Sequence, residues 1–247
     1  RSWFVISAAS TDANPRTPAR NKAARLREQG CNFRWWIRTD SGYIGKSLKQ
    51  AKPAARGLIA GGHGHRMKAG IKHVAASDPR FAALIERARP FELVANKLVR
   101  PFDALAESIA YQQLSGKAAA TIFGRVRALY GKRKWLDPEL VLKTPDEKLR
   151  ACGLSRSKTA AIKDLAAKTL DGTVPTRRAL LRMTDEEIIE RLTKVRGIGR
   201  WTVEMLLLFE LGRLDVWPVA DYGVQKGFAK TFGRKKLPTA KQFLKIG

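Results

Sequence analysis

Apolar residues recur along this chain three and four positions apart, the spacing that lines one face of a helix. The pattern runs clearly from about Ala69 onward. In RFAALIERA (80–88), Phe81, Leu84, Ile85 and Ala88 share a face behind Asp78-Pro79, a capping aspartate followed by proline at the first helical position. Pro90 limits that helix. The stretch 104–131, with Leu105, Ile109, Ile122, Val126 and Leu129 as its apolar positions, exceeds one ordinary helix, and Ser115-Gly116 marks the break. Asp137-Pro138 predicts a further start. Thr144 and Thr184 each precede a glutamate three residues on, Glu147 and Glu187, which predicts two capping boxes. TAAIKDLAAKTLDG (159–172) turns Ile162, Leu165, Ala166 and Thr169 inward and closes at Gly172. Strand-like runs are short and lack hairpin turns. The expectation is an all-α chain of roughly eight to ten short helices without an internal repeat.

Residues 1–68 break the pattern. Proline, glycine, serine and threonine interrupt every periodicity there, NPRTPAR (14–20) reads as coil, and KAARLREQG (22–30) offers two weak turns. GLIAGGHGHRMKAG (57–70) is too rich in glycine for an element expected from propensity. The expectation is a basic, disordered extension over 1–68, with a DNA-contacting arm as the alternative, followed by one domain over 69–247.

Charge then narrows the partner. The 247 residues carry a formal +26, and residues 1–68 alone hold 14 Lys and Arg against 3 acids. Such an excess favours a nucleic acid or another anionic surface. The two cysteines, Cys31 and Cys152, exclude a four-cysteine zinc or iron–sulfur site. His63, His65 and His73 lack a ligating cluster around them. No apolar run reaches membrane-spanning length, and a reducing compartment is expected.

One stretch carries chemistry. In LTKVRGIGRWTV (192–203) Gly197 and Gly199 flank Ile198 between two helical patterns. Such a turn exposes backbone N–H groups to an anion, and its glycines let a phosphate approach without a Cβ in the way. Ile198 would turn inward against Leu192 and Val195, Thr202 would steady the following helix, and Lys194, Arg196 and Arg200 add charge. A plain glycine turn is the alternative. Further on, Asp221 opens another helix, where an ionised carboxylate is favoured; taken alone it is equally an N-cap.

Residues 192–203 resemble the helix-hairpin-helix of the DNA glycosylase superfamily. With DVWPVADYGVQKG (215–227) and SIAYQQLSGKAA (108–119), the chain resembles the DNA-3-methyladenine glycosylase II (alkylated-base) type from about residue 70 to the C-terminus. The resemblance implies two helical subdomains with the active site in the cleft between them. The family pattern continues beyond PTAKQFLKIG, so a C-terminally truncated version of the fold is expected. The resemblance makes Asp221 the catalytic carboxylate, with Asp215 a weaker, structural candidate. Trp201 stands where lyase-type relatives carry a nucleophilic lysine, which implies base removal by water without strand cleavage. Trp201, Tyr222, Tyr111 and Trp217 become base-pocket aromatics, for which core packing is the alternative. Leu114 becomes the wedge that enters the base stack, with Gln113 beside it, against the alternative of a buried helix-end leucine. Gly197, Gly199, Arg200, Thr202 and Lys158 become phosphate contacts, joined by Ser157 and Lys117 as backbone contacts. No cofactor is required; a Na+ or K+ ion at the backbone of Val195 and Gly197 is the one ion implied.

The activity so implied is hydrolysis of the N-glycosidic bond of alkylated purines in double-stranded DNA by a monomer. Its place is the nucleoid of a bacterium or the nucleus of a eukaryote. A non-catalytic DNA-binding module, and a glycosylase for oxidised or deaminated bases, are the competing expectations.

Overall fold

The computed structural model describes residues 36–39, 42–45, 61–87, 100–131, 133 and 135–245. The readings of 14–20, 22–30, Cys31 and Pro90, and the side chains of His63 and His65, lie outside the described residues. Two short strands, β1 (Trp36–Thr39) and β2 (Gly42–Gly45), pair with each other. They depart from the strand-free reading of residues 1–68. The rest is helical: α1 (Gly61–Ser77), α2 (Pro79–Arg87), α3 (Pro101–Tyr111), α4 (Gly116–Ala128), α5 (Pro138–Lys143), α6 (Asp146–Ala151), α7 (Arg156–Leu170), α8 (Arg177–Leu180), α9 (Asp185–Leu192), α10 (Arg200–Phe209), α11 (Tyr222–Thr231) and α12 (Ala240–Leu244). Single turns such as the four-residue α8 are too short to show periodicity, which is why the helices outnumber the expected eight to ten.

Most of the predicted punctuation is present. Asp78 accepts from Arg80 N at 2.7 Å at the head of α2, and Asp137 accepts from Glu139 N at 3.0 Å at the head of α5. Ser115 caps α4 where the break was expected, and Gly172 (φ 81°) follows the end of α7. Thr184 and Glu187 form their capping box. The box expected at Thr144 does not form. That residue already ends α5, its hydroxyl donates to Leu140 O at 2.7 Å, and Pro145 takes the cap position of α6. A second correction concerns 57–70, where α1 begins at Gly61 despite four glycines in the helix. Met67, Gly70 and Val74 are buried three and four residues apart, and packing of that face against α2 overrides propensity.

The chain divides into two compact units, one built on 91–216 and the other on 44–90 with 217–247. In the first, α7 is the central helix, packed against α3 and α5. Leu105 and Ile109 of α3, Val126 of α4, Ile162 and Leu165 of α7, Ile188 and Leu192 of α9, and Leu207 of α10 are sealed from solvent. The second unit closes on aromatic rings. Phe228 stacks on Phe232 (4.3 Å) and meets Phe243 edge-on (5.0 Å), while Phe81 of α2 approaches Phe232 at 5.1 Å. Phe243, on the five-residue α12, is completely buried. No helix among the described residues is long and apolar enough to cross a membrane.

Candidate functional site

The hairpin of the first unit forms as its composition dictates. Leu192 ends α9, Ile198 N donates to Val195 O at 3.1 Å, and Gly197 takes a left-handed φ of 76° that a side chain would resist. A Cβ on Gly197 would lie 3.3 Å from the Cβ of Ala161, whereas one on Gly199 would meet nothing within 4 Å. Glycine at 197 therefore serves the fold, while glycine at 199 leaves open space over the start of α10. That helix begins without a side-chain cap, the arrangement that presents N–H groups and a positive dipole end to an anion. Ile198, Val195 and Leu192 are buried beneath the turn, and Thr202 is buried behind it, its N–H donating to Gly199 O at 3.0 Å.

A contact with no local sequence signal steadies this turn. Asp164 of α7 accepts from Arg196 N–H at 2.7 Å and from Lys168 Nζ at 2.7 Å. Burial raises its pKa, but the Arg196 N–H and the Lys168 ammonium together outweigh that and hold the carboxyl below its usual range. Two expected phosphate contacts are otherwise engaged. The Arg200 guanidinium is gripped by Glu186 (2.7 and 3.1 Å) and by Glu204 (3.1 Å). The Lys158 ammonium donates to Ala110 O at 2.8 Å and Gln112 O at 2.7 Å, the open carbonyls at the end of α3, and burial lowers its pKa.

The turn between α3 and α4 lies against the hairpin, where Gln112 Nε2 donates to Gly197 O at 2.8 Å. Gln113 adopts φ 57°, uncommon for a residue with a side chain, and Leu114 follows it 39% exposed. The alternative of a buried helix-end leucine does not hold. Trp201, in the first turn of α10, is 46% exposed, which core packing would not leave. Tyr111 is half-buried at the end of α3, and Ser157 and Lys117 are exposed in the first turns of α7 and α4.

In the second unit, Asp221 caps α11, its Oδ1 accepting from Val224 N at 2.8 Å. The loop before it is tied down by Gln225 Nε2, which donates to Val219 O at 2.6 Å, and by Asp221 N, which donates to Pro218 O at 3.0 Å. Tyr222 is 63% exposed, with Lys226 Nζ 5.8 Å from its ring centroid. Trp217 differs from expectation. Its indole N–H donates to Phe243 O at 3.1 Å and its ring packs on Phe243 at 4.5 Å, so it joins the aromatic core. Asp215, in the first unit, is exposed.

Residues 106–246 match the model of the HhH-GPD superfamily base excision DNA repair proteins. The DNA-3-methyladenine glycosylase 1 of Schizosaccharomyces pombe is 39% identical over 166 residues, covering 67% of this chain and 72% of that protein. Among solved structures, the S. pombe 3-methyladenine DNA glycosylase in complex with abasic DNA superposes with a TM-score of 0.64 at 35% identity. The match covers 71% of this chain and 85% of that one. A DNA-3-methyladenine glycosidase from Bacillus halodurans gives 0.63 at 36% identity over 71% and 79% of the two chains. The chain belongs to the HhH-GPD superfamily of base excision DNA repair proteins, and its fold is theirs.

Proposed function

We propose that this chain is a monofunctional DNA glycosylase of the DNA-3-methyladenine glycosylase II type, acting as a monomer on alkylated purines in double-stranded DNA. The observation that supports the reading is that each unit carries one helix start with an exposed aromatic ring. One, Gly199-Arg200-Trp201, offers backbone N–H groups and an exposed indole where lyase-type relatives place lysine. The other, Asp221-Tyr222, offers a carboxylate and an exposed phenol ring. A purine alkylated at ring nitrogen carries positive charge and stacks well on electron-rich aromatic faces, the kind that Trp201 and Tyr222 each expose.

As the C1′–N bond breaks, its electron pair leaves with the purine and the sugar takes on oxocarbenium character. Asp221 stabilises that charge and accepts a proton from the attacking water, whose oxygen becomes the C1′ hydroxyl. The purine and an abasic sugar are the products. With tryptophan at position 201, the amine that lyase-type relatives use to form a Schiff base is missing there, so the strand stays intact. Leu114 fills the space vacated by the extruded base, and Gln113 bonds the neighbouring bases. The carbonyls of Val195 and Gly197, which accept from Ile198 N–H and Gln112 Nε2, are the groups that would hold a monovalent cation, and it would screen phosphate charge there.

The test is incubation of the purified chain with duplex DNA containing 3-methyladenine or 7-methylguanine. Free methylated base and uncut strands are expected. A folded protein that binds DNA and releases no base refutes the enzyme and leaves a non-catalytic binding module. A covalent adduct trapped by borohydride refutes hydrolysis by water alone.

A further inference from the structure

We infer that Lys158 and Gln112 are positioning residues that brace the Gln113-Leu114 loop against the hairpin, holding the wedge in register with the seated phosphate. The inference rests on the glycosylase reading above. Three polar ties close a circuit. Lys158 of α7 holds the wedge loop through the carbonyls of Ala110 and Gln112; the Gln112 side chain reaches Gly197 O; and Asp164, on α7 again, holds Arg196 N–H. Lys158 and Asp164 stand six residues apart, about 9 Å along the helix axis, so α7 acts as a ruler between loop and hairpin. Two of the ties carry full charge and are correspondingly strong.

The geometry at the loop shows why a brace is needed. The end of α3 leaves carbonyls without intrahelical partners, and Gln113 sits in a left-handed conformation that relaxes unless its neighbours hold it. Leu114, exposed and carried by that residue, must resist the base stack it enters. A hairpin that binds phosphate and a loop that opens the stack work together only at a set spacing, since displacements near 1 Å cost about a hundredfold in well-oriented reactions. Lys158, whose ammonium is engaged by the carbonyls of Ala110 and Gln112, acts through this spacing.

The experiment uses the full chain and a duplex in which 2-aminopurine neighbours a tetrahydrofuran abasic analogue, so that fluorescence reports opening of the stack. Gln112→Leu, Lys158→Met, Lys158→Arg and the Gln112→Leu/Lys158→Met pair are compared, with circular dichroism confirming the fold. Gln112→Leu and Lys158→Met are expected to lower the rate of the fluorescence rise about tenfold or more, with affinity for undamaged duplex retained. The double variant falls no further than the worse single, because both act through one circuit, and Lys158→Arg recovers part of the loss. If Lys158→Met fails to fold, Gln112→Leu and Lys158→Arg decide the matter. A wild-type fluorescence rise in Gln112→Leu overturns the brace. So does a fall in that rise matched by an equal fall in undamaged-duplex affinity, which is what a merely structural role predicts. Excision of 7-methylguanine by the same samples separates the two ideas: stack opening without excision by the wild type refutes the proposed function and leaves the brace standing.

Discussion

Replacing Asp221 by asparagine removes one charge and leaves the shape of the side chain in place. Oδ1 of Asp221 accepts the Val224 N–H at 2.8 Å, and an asparagine oxygen accepts it equally well, since the two residues rank together as N-caps. What Asn gives up in stability is the attraction of a negative charge to the start of α11, about 0.3–1 kcal/mol. In a chain of this size that lowers Tm by roughly 2–4 °C at most. Asp221→Ala also loses the cap itself, about 1 kcal/mol more, and α11 carries Val224 and Phe228 into the aromatic core, so the loss is felt in unfolding.

The chemical cost is of a different size. A positioned carboxylate acting as base and charge stabiliser accounts for about 10²–10⁴ in rate, and a thousandfold loss corresponds to about 4 kcal/mol of transition-state stabilisation. The assay is single-turnover release of 7-methylguanine from duplex DNA with enzyme in excess, beside thermal unfolding followed at 222 nm. Both variants are expected to lose about a thousandfold in rate, with the Asn protein close to wild type in Tm and the Ala protein lower. An Asn variant that excises at nearly the wild-type rate refutes the carboxylate mechanism. A rate loss that appears in Ala alone shows Asp221 to be a cap and nothing more.

Gly197→Ala forces a side chain into φ 76° beside Ala161 and should cost about 1–3 kcal/mol, read as a lower urea midpoint. Gly199→Ala meets no atom within 4 Å and should change stability little; under the proposed function its methyl would obstruct the phosphate and weaken duplex binding. Equal stability losses in the two would refute the division of labour between the glycines. Gln113→Gly relieves the φ of 57° and should raise Tm, by roughly 2–4 °C per kcal/mol recovered, while slowing excision; a faster enzyme would remove Gln113 from the reading. The folded-state pKa of Asp164 is depressed, so its contribution is fully present above the ordinary carboxylate pKa of 3.8 and is lost as pH falls through the folded value. The stability gap between wild type and Asp164→Asn, measured by urea titration, should therefore be wide at pH 7 and narrow progressively as pH falls below 3.8. A gap independent of pH would show that Arg196 N–H gains nothing from the charge.

What the sequence disclosed and what it hid divide by range. Caps at Ser115, Asp137 and Thr184, the left-handed Gly197 and the aspartate heading α11 are settled within about four residues of themselves, and each was legible. The Thr144 box failed because two helices abut there and claim one residue for opposite ends. For Trp217 the sequence left pocket and core both open, because the group that receives its N–H, Phe243 O, lies 26 residues away. Lys158 likewise meets carbonyls 46 and 48 residues off, and Arg200 meets Glu186 at a separation of 14. A net charge of +26 announces a polyanion without saying which cations remain available to it.

That distinction yields a measurable difference within one turn of chain. Each phosphate neutralised by a cation releases counterions and steepens the fall of log K with log salt by about 0.9 per contact. Arg200, clasped by Glu186 and Glu204, is already neutralised within the protein, so Arg200→Met should leave the salt slope of duplex binding unchanged. Its loss instead uncovers Glu204, which is 5% exposed at the side chain, and should lower stability by about 1–3 kcal/mol. Arg196 has its backbone N–H taken by Asp164 and its side chain at the surface, so Arg196→Met should reduce the slope by about 0.9 with the fold undisturbed. Fluorescence anisotropy of a labelled duplex across a salt series reads both slopes. A shallower slope in Arg200→Met would mean that DNA wins this arginine from its two carboxylates, and that the hairpin binds phosphate by side-chain charge as well as by the backbone of Gly199 and the residues after it.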